Sequence, residues 1–206
     1  MTKRARKKAP SRNPTGRPRS LDVGNAILEA ALRLARSEGY AGLTIDAIAA
    51  RSGVGKPSIY RRWSSKAEIV TEALTRQAER DIPVPDTGSL RDDLTTALLK
   101  VARQLRTTDG DIVRSLFAEA QLNEKYRPVF QAFIERRRRK VRALVEAAIL
   151  KGKSKSELDL ELIVDEIYGT LIYRTLVGHA AISDSFVRLH LAHVFRALGD
   201  AIPAMK

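Results

Sequence analysis

The chain has no cysteine, which excludes a disulfide framework, a thiol nucleophile and any thiolate metal site. Aromatic residues are few, with one Trp, five Tyr and five Phe among 206 residues. No apolar run approaches the ~18 residues that a membrane-spanning helix needs. Acids are missing from the beginning, since none precedes Asp22. The basic start also lacks the apolar stretch of a secretory signal, because Pro10, Asn13, Pro14 and Gly16 stand where it would lie. A cytoplasmic protein is therefore expected. A Gly-rich phosphate loop, a nucleophile elbow and an H-E-x-x-H pair are all absent from the sequence. No acids are paired as acid and base, so the expectation is a non-enzyme with no cofactor and no metal.

What the chain has in excess is positive charge, unevenly placed. The formal net charge is +13. Before Asp22 stand eight bases: Lys3, Arg4, Arg6, Lys7, Lys8, Arg12, Arg17 and Arg19. Between Asp22 and Ser64 six further bases face four acids, so ten of the thirteen net charges precede residue 65. A polyanion-binding surface requires such a concentration. The length suits a reading unit of this kind followed by a larger helical domain. Pro83, Pro85 and Gly88 break the helical pattern between them. The expected layout is a disordered basic arm over 1–19, a DNA-binding domain with its linking helix over 20–81, and a second domain over 82–206.

The stretch 43–70 reads as a helix-turn-helix. Thr44 is an N-cap, Asp46 lies in the first turn, and Ile45, Ile48 and Ala49 form an inward face. Gly53 suits the bend because it takes a positive φ, and Val54 fills the gap between the helices. A second helix is expected from Lys56 to Trp63, with Pro57 in its first turn, where the missing N–H costs nothing. Ser65 and Glu68 form an S-x-x-E capping box for the next helix. Lys56 and Lys66 each fall in a first turn, where a cation opposes the helix dipole and a phosphate would reverse the penalty.

Gly53 to Lys66 (GVGKPSIYRRWSSK) resembles the DNA-binding signature of TetR-type transcriptional regulators, with the similarity spanning about 27–70. Gly55 stands where the family often has Ser, and Arg62 where it often has an aromatic or His. Residue types and the resemblance together nominate Lys56, Ser58, Arg61 and Arg62 for base edges or phosphates in the major groove, alongside Pro57 on the same helix. Tyr60 and Lys66 are nominated as phosphate anchors, and Thr44 as a phosphate holder at the preceding helix. Ile59 and Trp63 are expected in the core. Gly16-Arg17-Pro18-Arg19 resembles part of an AT-hook core, which implies minor-groove entry by Arg17 and Arg19. A solubilising tail is the plainer alternative.

Everything after Gly88 reads as helix, giving an all-α fold of about nine helices. A first helix is expected over Ser20 to Glu38, ended by Gly39, and a linking helix over Ser65 to Asp81. Helices from Ser89, from Asp111 to Leu122, and from Pro128 to Gly152 follow. Over Leu158 to His179 the apolar residues spread across about 180°, wider than the ~100° one core requires. A second face also remains on the last helix, Asp184 to Leu198. Ile163, Ile167, Leu171, Phe186, His190, His193 and Ala197 are accordingly assigned to a homodimer seam. His190 and His193 have a spacing that suits a metal, but an interface role is preferred. Phe117, Tyr126, Phe130, Phe133, Tyr168 and Tyr173 are nominated to line a ligand cavity. Arg136 to Lys140 reads as a solvated face, with the stems of Arg137 or Arg138 over apolar neighbours. An anionic ligand or an extra DNA contact is the alternative.

The resemblance thus implies a homodimeric repressor released from palindromic double-stranded DNA by a small-molecule effector. The competing reading is an architectural or ligand-independent DNA binder.

Overall fold

The structure, a computed structural model, describes residues 18–83, 85–151 and 159–198; the side chains of residues 18–21, 151 and 197 lie outside that description. The arm with Arg17, and the side chains of Arg19 and Ala197, therefore fall outside the described residues. Nine helices and no strand are present among the residues described. They are α1 (Pro18–Gly42), α2 (Ile45–Ser52), α3 (Lys56–Tyr60), α4 (Lys66–Asp81), α5 (Leu90–Leu105), α6 (Thr108–Leu122), α7 (Arg127–Lys151), α8 (Leu160–Val177) and α9 (Asp184–Leu198).

The helix starts follow side-chain caps. Thr44, Ser65, Ser89, Thr107 and Asp159 each accept a hydrogen bond from a first-turn N–H of the helix that follows. Boundaries differ most from expectation at three places. The first helix runs on to Gly42, with Gly39 (φ 77°) as an internal kink. Regular α3 stops at Tyr60 instead of Trp63, although the N–H groups of Arg62 and Trp63 both still reach the Ile59 carbonyl. α6 starts at Thr108, because the Thr107 cap sits upstream of the expected Asp111.

Two apolar clusters hold the chain together. One joins α1–α4 to α6 and the first half of α7, through Ile27, Ile48, Ile59, Ile69, Ile112, Leu116 and Phe130. Full burial of each such aliphatic side chain stabilises by about 1.5–3 kcal/mol. The other packs α5, the second half of α7, α8 and α9 around Leu94, Leu98, Val141, Ile167 and Val187. α7 is therefore shared. Phe130 and Phe133 belong to the first cluster and Val141 and Val145 to the second, so the core does not divide at the proline-rich break after α4.

At the α5–α6 junction the backbone passes so close that a Cβ on Gly110 would collide with the Leu105 carbonyl. Only glycine lets α6 begin there, and this seats its neighbour Asp109 in the interior.

Candidate nucleic-acid interface

α2 and α3 form a helix-turn-helix carried on α1 and α4. Thr44 Oγ1 accepts from Ala47 N–H at 3.1 Å, and Gly53 ends α2 at φ 68°, ψ 18°. Gly55 caps α3 with no side chain, as its lack of an oxygen requires, and Pro57 occupies the first turn. Ile59 and Trp63 are buried and seat α3 on the core. Trp63 Nε1 also donates to Glu72 Oε2 at 2.7 Å. Glu72 in turn accepts from Arg76, which donates to Asn25 Oδ1 at 2.7 Å. The reading helix is thus tied to both α4 and α1.

The opposite side of α3 faces water. Lys56, Pro57, Tyr60, Arg61 and Arg62 are exposed there and Ser58 is half-buried. Tyr60 keeps 54% of its surface accessible, an exposed large aromatic beside the cations. From Leu43 to Ala67 the chain carries a single acid, Asp46. Its carboxylate pairs with Lys56 Nζ at 2.5 Å in the open, and that hydrogen bond and charge hold the ammonium above its ordinary pKa. Arg62 lies along α1 over Gly24, where an added Cβ would stand 2.8 Å from a guanidinium nitrogen.

Lys66, expected as a phosphate anchor, has partners inside the protein. Its Nζ donates to the carbonyls of Tyr40 (3.0 Å), Ala41 (3.2 Å) and Leu43 (2.9 Å), and sits 4.8 Å from the Tyr40 ring centroid. All three ammonium donors are thus spent on carbonyls where α1 ends, a helix end that welcomes a cation. The unfavourable position at the start of α4 is offset inside the protein, without a phosphate. The Glu68 carboxylate meanwhile accepts from Ser64 N–H at 2.8 Å, one residue before the expected capping-box partner.

The expected pocket residues separate into three groups. Tyr126 and Phe130 are buried in the first core. Tyr126 hydroxyl meets Thr71 Oγ1 at 2.6 Å, and Phe130 packs edge-on to Phe117 at 4.7 Å between centroids. Phe117, Phe133 and Tyr168 border two neighbouring cavities of about 40 and 50 Å³ between α4, α5, α6, α7 and α8. Tyr173 does not belong with them. It is exposed near the end of α8, with its ring 4.9 Å from that of His179.

The expected seam residues also divide. Ile163, Ile167 and Leu171 are buried in the protomer's own core and are not available to a partner. The wide apolar arc on α8 does have a second side, but it consists of Leu162, Tyr173, Leu176 and Val177, all exposed, beside open space at Gly169. Leu189 and His193 are exposed on α9. Phe186 and His190 are half-buried, stacked on each other at 5.9 Å, and His190 Nε2 lies 3.2 Å from the Ile167 carbonyl. They fasten α9 to α8.

Missed in the sequence was a polar junction between the two halves. Asp109, buried at the start of α6, accepts from Arg36 of α1, Gln77 of α4 and Gln104 of α5. No local motif marks it, because its partners come from three separate helices.

Residues 27–73 match the family described as bacterial regulatory proteins, tetR family, and residues 84–194 match the tetracyclin repressor-like C-terminal domain. The chain is 36% identical over 184 residues to the HTH-type transcriptional regulator YdeS of Bacillus subtilis (strain 168), covering 89% of this chain and 93% of that one. It is 29% identical over 172 residues to the DNA-binding transcriptional repressor TetR of Mycobacteroides abscessus, covering 79% and 86%. Among solved structures it resembles the TetR family transcription regulator SCO0332, with a TM-score of 0.77, 26% identity, and 85% and 97% of the two chains covered.

Proposed function

The chain belongs to the TetR family of DNA-binding transcriptional regulators, and from that premise we propose that it is a homodimeric repressor whose two α3 helices enter successive major grooves of a palindromic operator. The observation that carries this reading is the division of α3 and the turn after it into a buried anchor, Ile59 and Trp63, and an exposed cationic face of Lys56, Tyr60, Arg61 and Arg62. Arg61 and Arg62 suit guanine edges or phosphates, Ser58 a base edge, and Tyr60 a phosphate. Thr44 places a hydroxyl and the α2 N-terminus where a phosphate is favoured. Lys56 exchanges the Asp46 carboxylate for a phosphate on binding.

The second copy docks through the outward stripe of α8, Leu162, Tyr173 and Leu176, with Leu189 and His193 of α9. Dimerisation sets the two reading helices about 34–36 Å apart, one DNA turn. An effector in the space behind α4 bears on Leu74, Thr75 and Ala78, which form its wall. Moving α4 moves the reading unit, and a coupling of about 1–3 kcal/mol changes operator occupancy 5- to 150-fold. The protein works in the cytoplasm, where the DNA is.

Selection of bound fragments from random duplexes by the full chain tests the reading. Enriched sequences should form a palindrome with half-sites about one turn apart. Enrichment of a single half-site, or no enrichment at 150 mM salt, overturns it.

A further inference from the structure

The basic run Arg136 to Lys140 contains one arginine unlike its neighbours. Arg136 pairs with Glu79, while Arg138 binds Glu161 at 2.9 Å and also pairs with Asp165. Arg142, just beyond the run, pairs with Glu161 at 2.7 Å. Arg137 turns inward. Among the described residues no carboxylate lies within ion-pair distance of it; its guanidinium carbon stands 5.8 Å from the Phe133 ring centroid, and its backbone carbonyl accepts from the Tyr168 hydroxyl at 3.4 Å. Burial pushes its pKa below the ordinary arginine value, the effect expected of a cation taken out of water without a counter-ion.

Arg137 is half-buried, and a cation withdrawn from water without a counter-ion is costly unless something else neutralises it. Both cavities behind α4 touch Arg137 and share Val101, Phe133 and Tyr168 as further walls. The rest of the second cavity is almost wholly apolar, with Phe117, Ile134 and Ile172 among its walls. Its one amide, Gln104, donates its other way to Asp109 at 3.1 Å. In the first cavity Glu79 is held by Arg136.

We propose that this space is the binding site for an apolar molecule bearing a single carboxylate, with Arg137 as the counter-ion and the apolar walls receiving its body. The proposal rests on the effector reading above and names the chemical class of that effector. Small-molecule sites usually hold about 300–1,000 Å³, so cavities of about 40 and 50 Å³ must open and merge to admit such a ligand. Opening displaces Leu74 and Thr75 of α4 on one side and Gln104 on the other. Gln104 reaches Asp109, to which α1 and α4 are also bonded, so entry of the ligand strains the junction between the halves.

Calorimetric titration of the full chain with hexanoate, decanoate and 4-phenylbutyrate, each beside its matched primary alcohol, decides the matter. At least one carboxylate should bind ten-fold or more tighter than its alcohol, and Arg137→Met should abolish the difference while leaving alcohol binding unchanged or stronger. Equal affinities of acid and alcohol, no binding of any carboxylate up to 1 mM, or a preference that survives Arg137→Met overturns the proposal. If Arg137→Met does not fold, Arg137→Gln takes its place, and the wild-type comparison alone still refutes or supports the carboxylate class. Operator release measured in parallel separates the two readings. Carboxylate binding without release removes the effector role and keeps the site, whereas release by alcohol as readily as by acid keeps an effector and removes Arg137.

Discussion

Arg36 and Asp109, 73 residues apart, form a two-armed ion pair, Nε to Oδ1 at 2.6 Å and Nη2 to Oδ2 at 2.8 Å. It joins the first helix of the DNA-binding half to the first turn of α6. Asp109 is almost wholly buried, whereas the Arg36 side chain keeps 39% of its surface in water. Asp109→Ala leaves the arginine and two glutamines without their acceptor and should cost about 2–3 kcal/mol, toward the low end for a buried pair because Arg36 is partly solvated. Urea denaturation at fixed protein concentration measures it, and a loss under 0.5 kcal/mol would show the pair to be idle.

The same carboxylate makes a pH prediction. Burial pushes Asp109 upward, but hydrogen bonds from Arg36, Gln104 and Gln77, with the charge of Arg36, outweigh it and hold the carboxyl below its ordinary 3.8. A depressed native pKa contributes stability that is present above the unfolded value and is lost as pH falls through the native one. The stability gap between wild type and Asp109→Asn should therefore be constant from neutral pH down to about 4 and shrink below it. A gap that widens on acidification would contradict this.

Gly110 offers a steric test beside it. Gly110→Ala places a methyl on the Leu105 carbonyl, a backbone atom that cannot rotate away. The gain in helix propensity of roughly 1 kcal/mol is overwhelmed, and the variant should melt well below wild type. A raised melting temperature would show that the α5–α6 junction relaxes freely.

Lys66 and Arg61 should fail differently. Lys66→Met removes a three-carbonyl clamp and should cost about 1–3 kcal/mol of stability, while leaving the salt dependence of operator binding unchanged. Arg61→Ala, exposed at the C-terminus of α3, should leave stability within about 0.5 kcal/mol and lower the salt slope by about one if it meets a phosphate. Titrations at several salt concentrations, with melting curves for both variants, separate the cases. The reverse pattern would return Lys66 to the DNA.

For the dimer seam, Leu176→Asp and Ile167→Asp should diverge. Leu176 is exposed on α8 and its aspartate variant should sediment as a folded monomer. Ile167 is fully buried, so Ile167→Asp should unfold the chain instead. A folded dimer of the Leu176 variant would place the seam elsewhere.

Secondary structure and the reading unit were legible because their causes are local. Thr44, Gly53, Pro57 and Ser65 act on residues within four positions of themselves, so capping and turn chemistry located α2, α3 and α4 without reference to the rest. The apolar arc of α8 was also legible as too wide for one core. Which half of it faces inward was not, because periodicity gives angles around an axis and not the direction of the neighbouring helices; Ile167 and Leu171, expected at a seam, are buried in the protomer for that reason, and Leu162 and Leu176 are the exposed residues.

By itself the sequence determined an all-helical chain, the cationic helix-turn-helix near its start and the family to which it belongs, since each depends on residue type and short spacing. Tertiary structure alone decided where the charges went. Lys66 met the carbonyls at the end of α1, Asp109 gathered partners from three helices, and Arg137 was separated from its paired neighbours and left beside the cavities. Coulomb and hydrogen-bond energies depend on distance through space and on exclusion of water, and neither can be read from order along the chain.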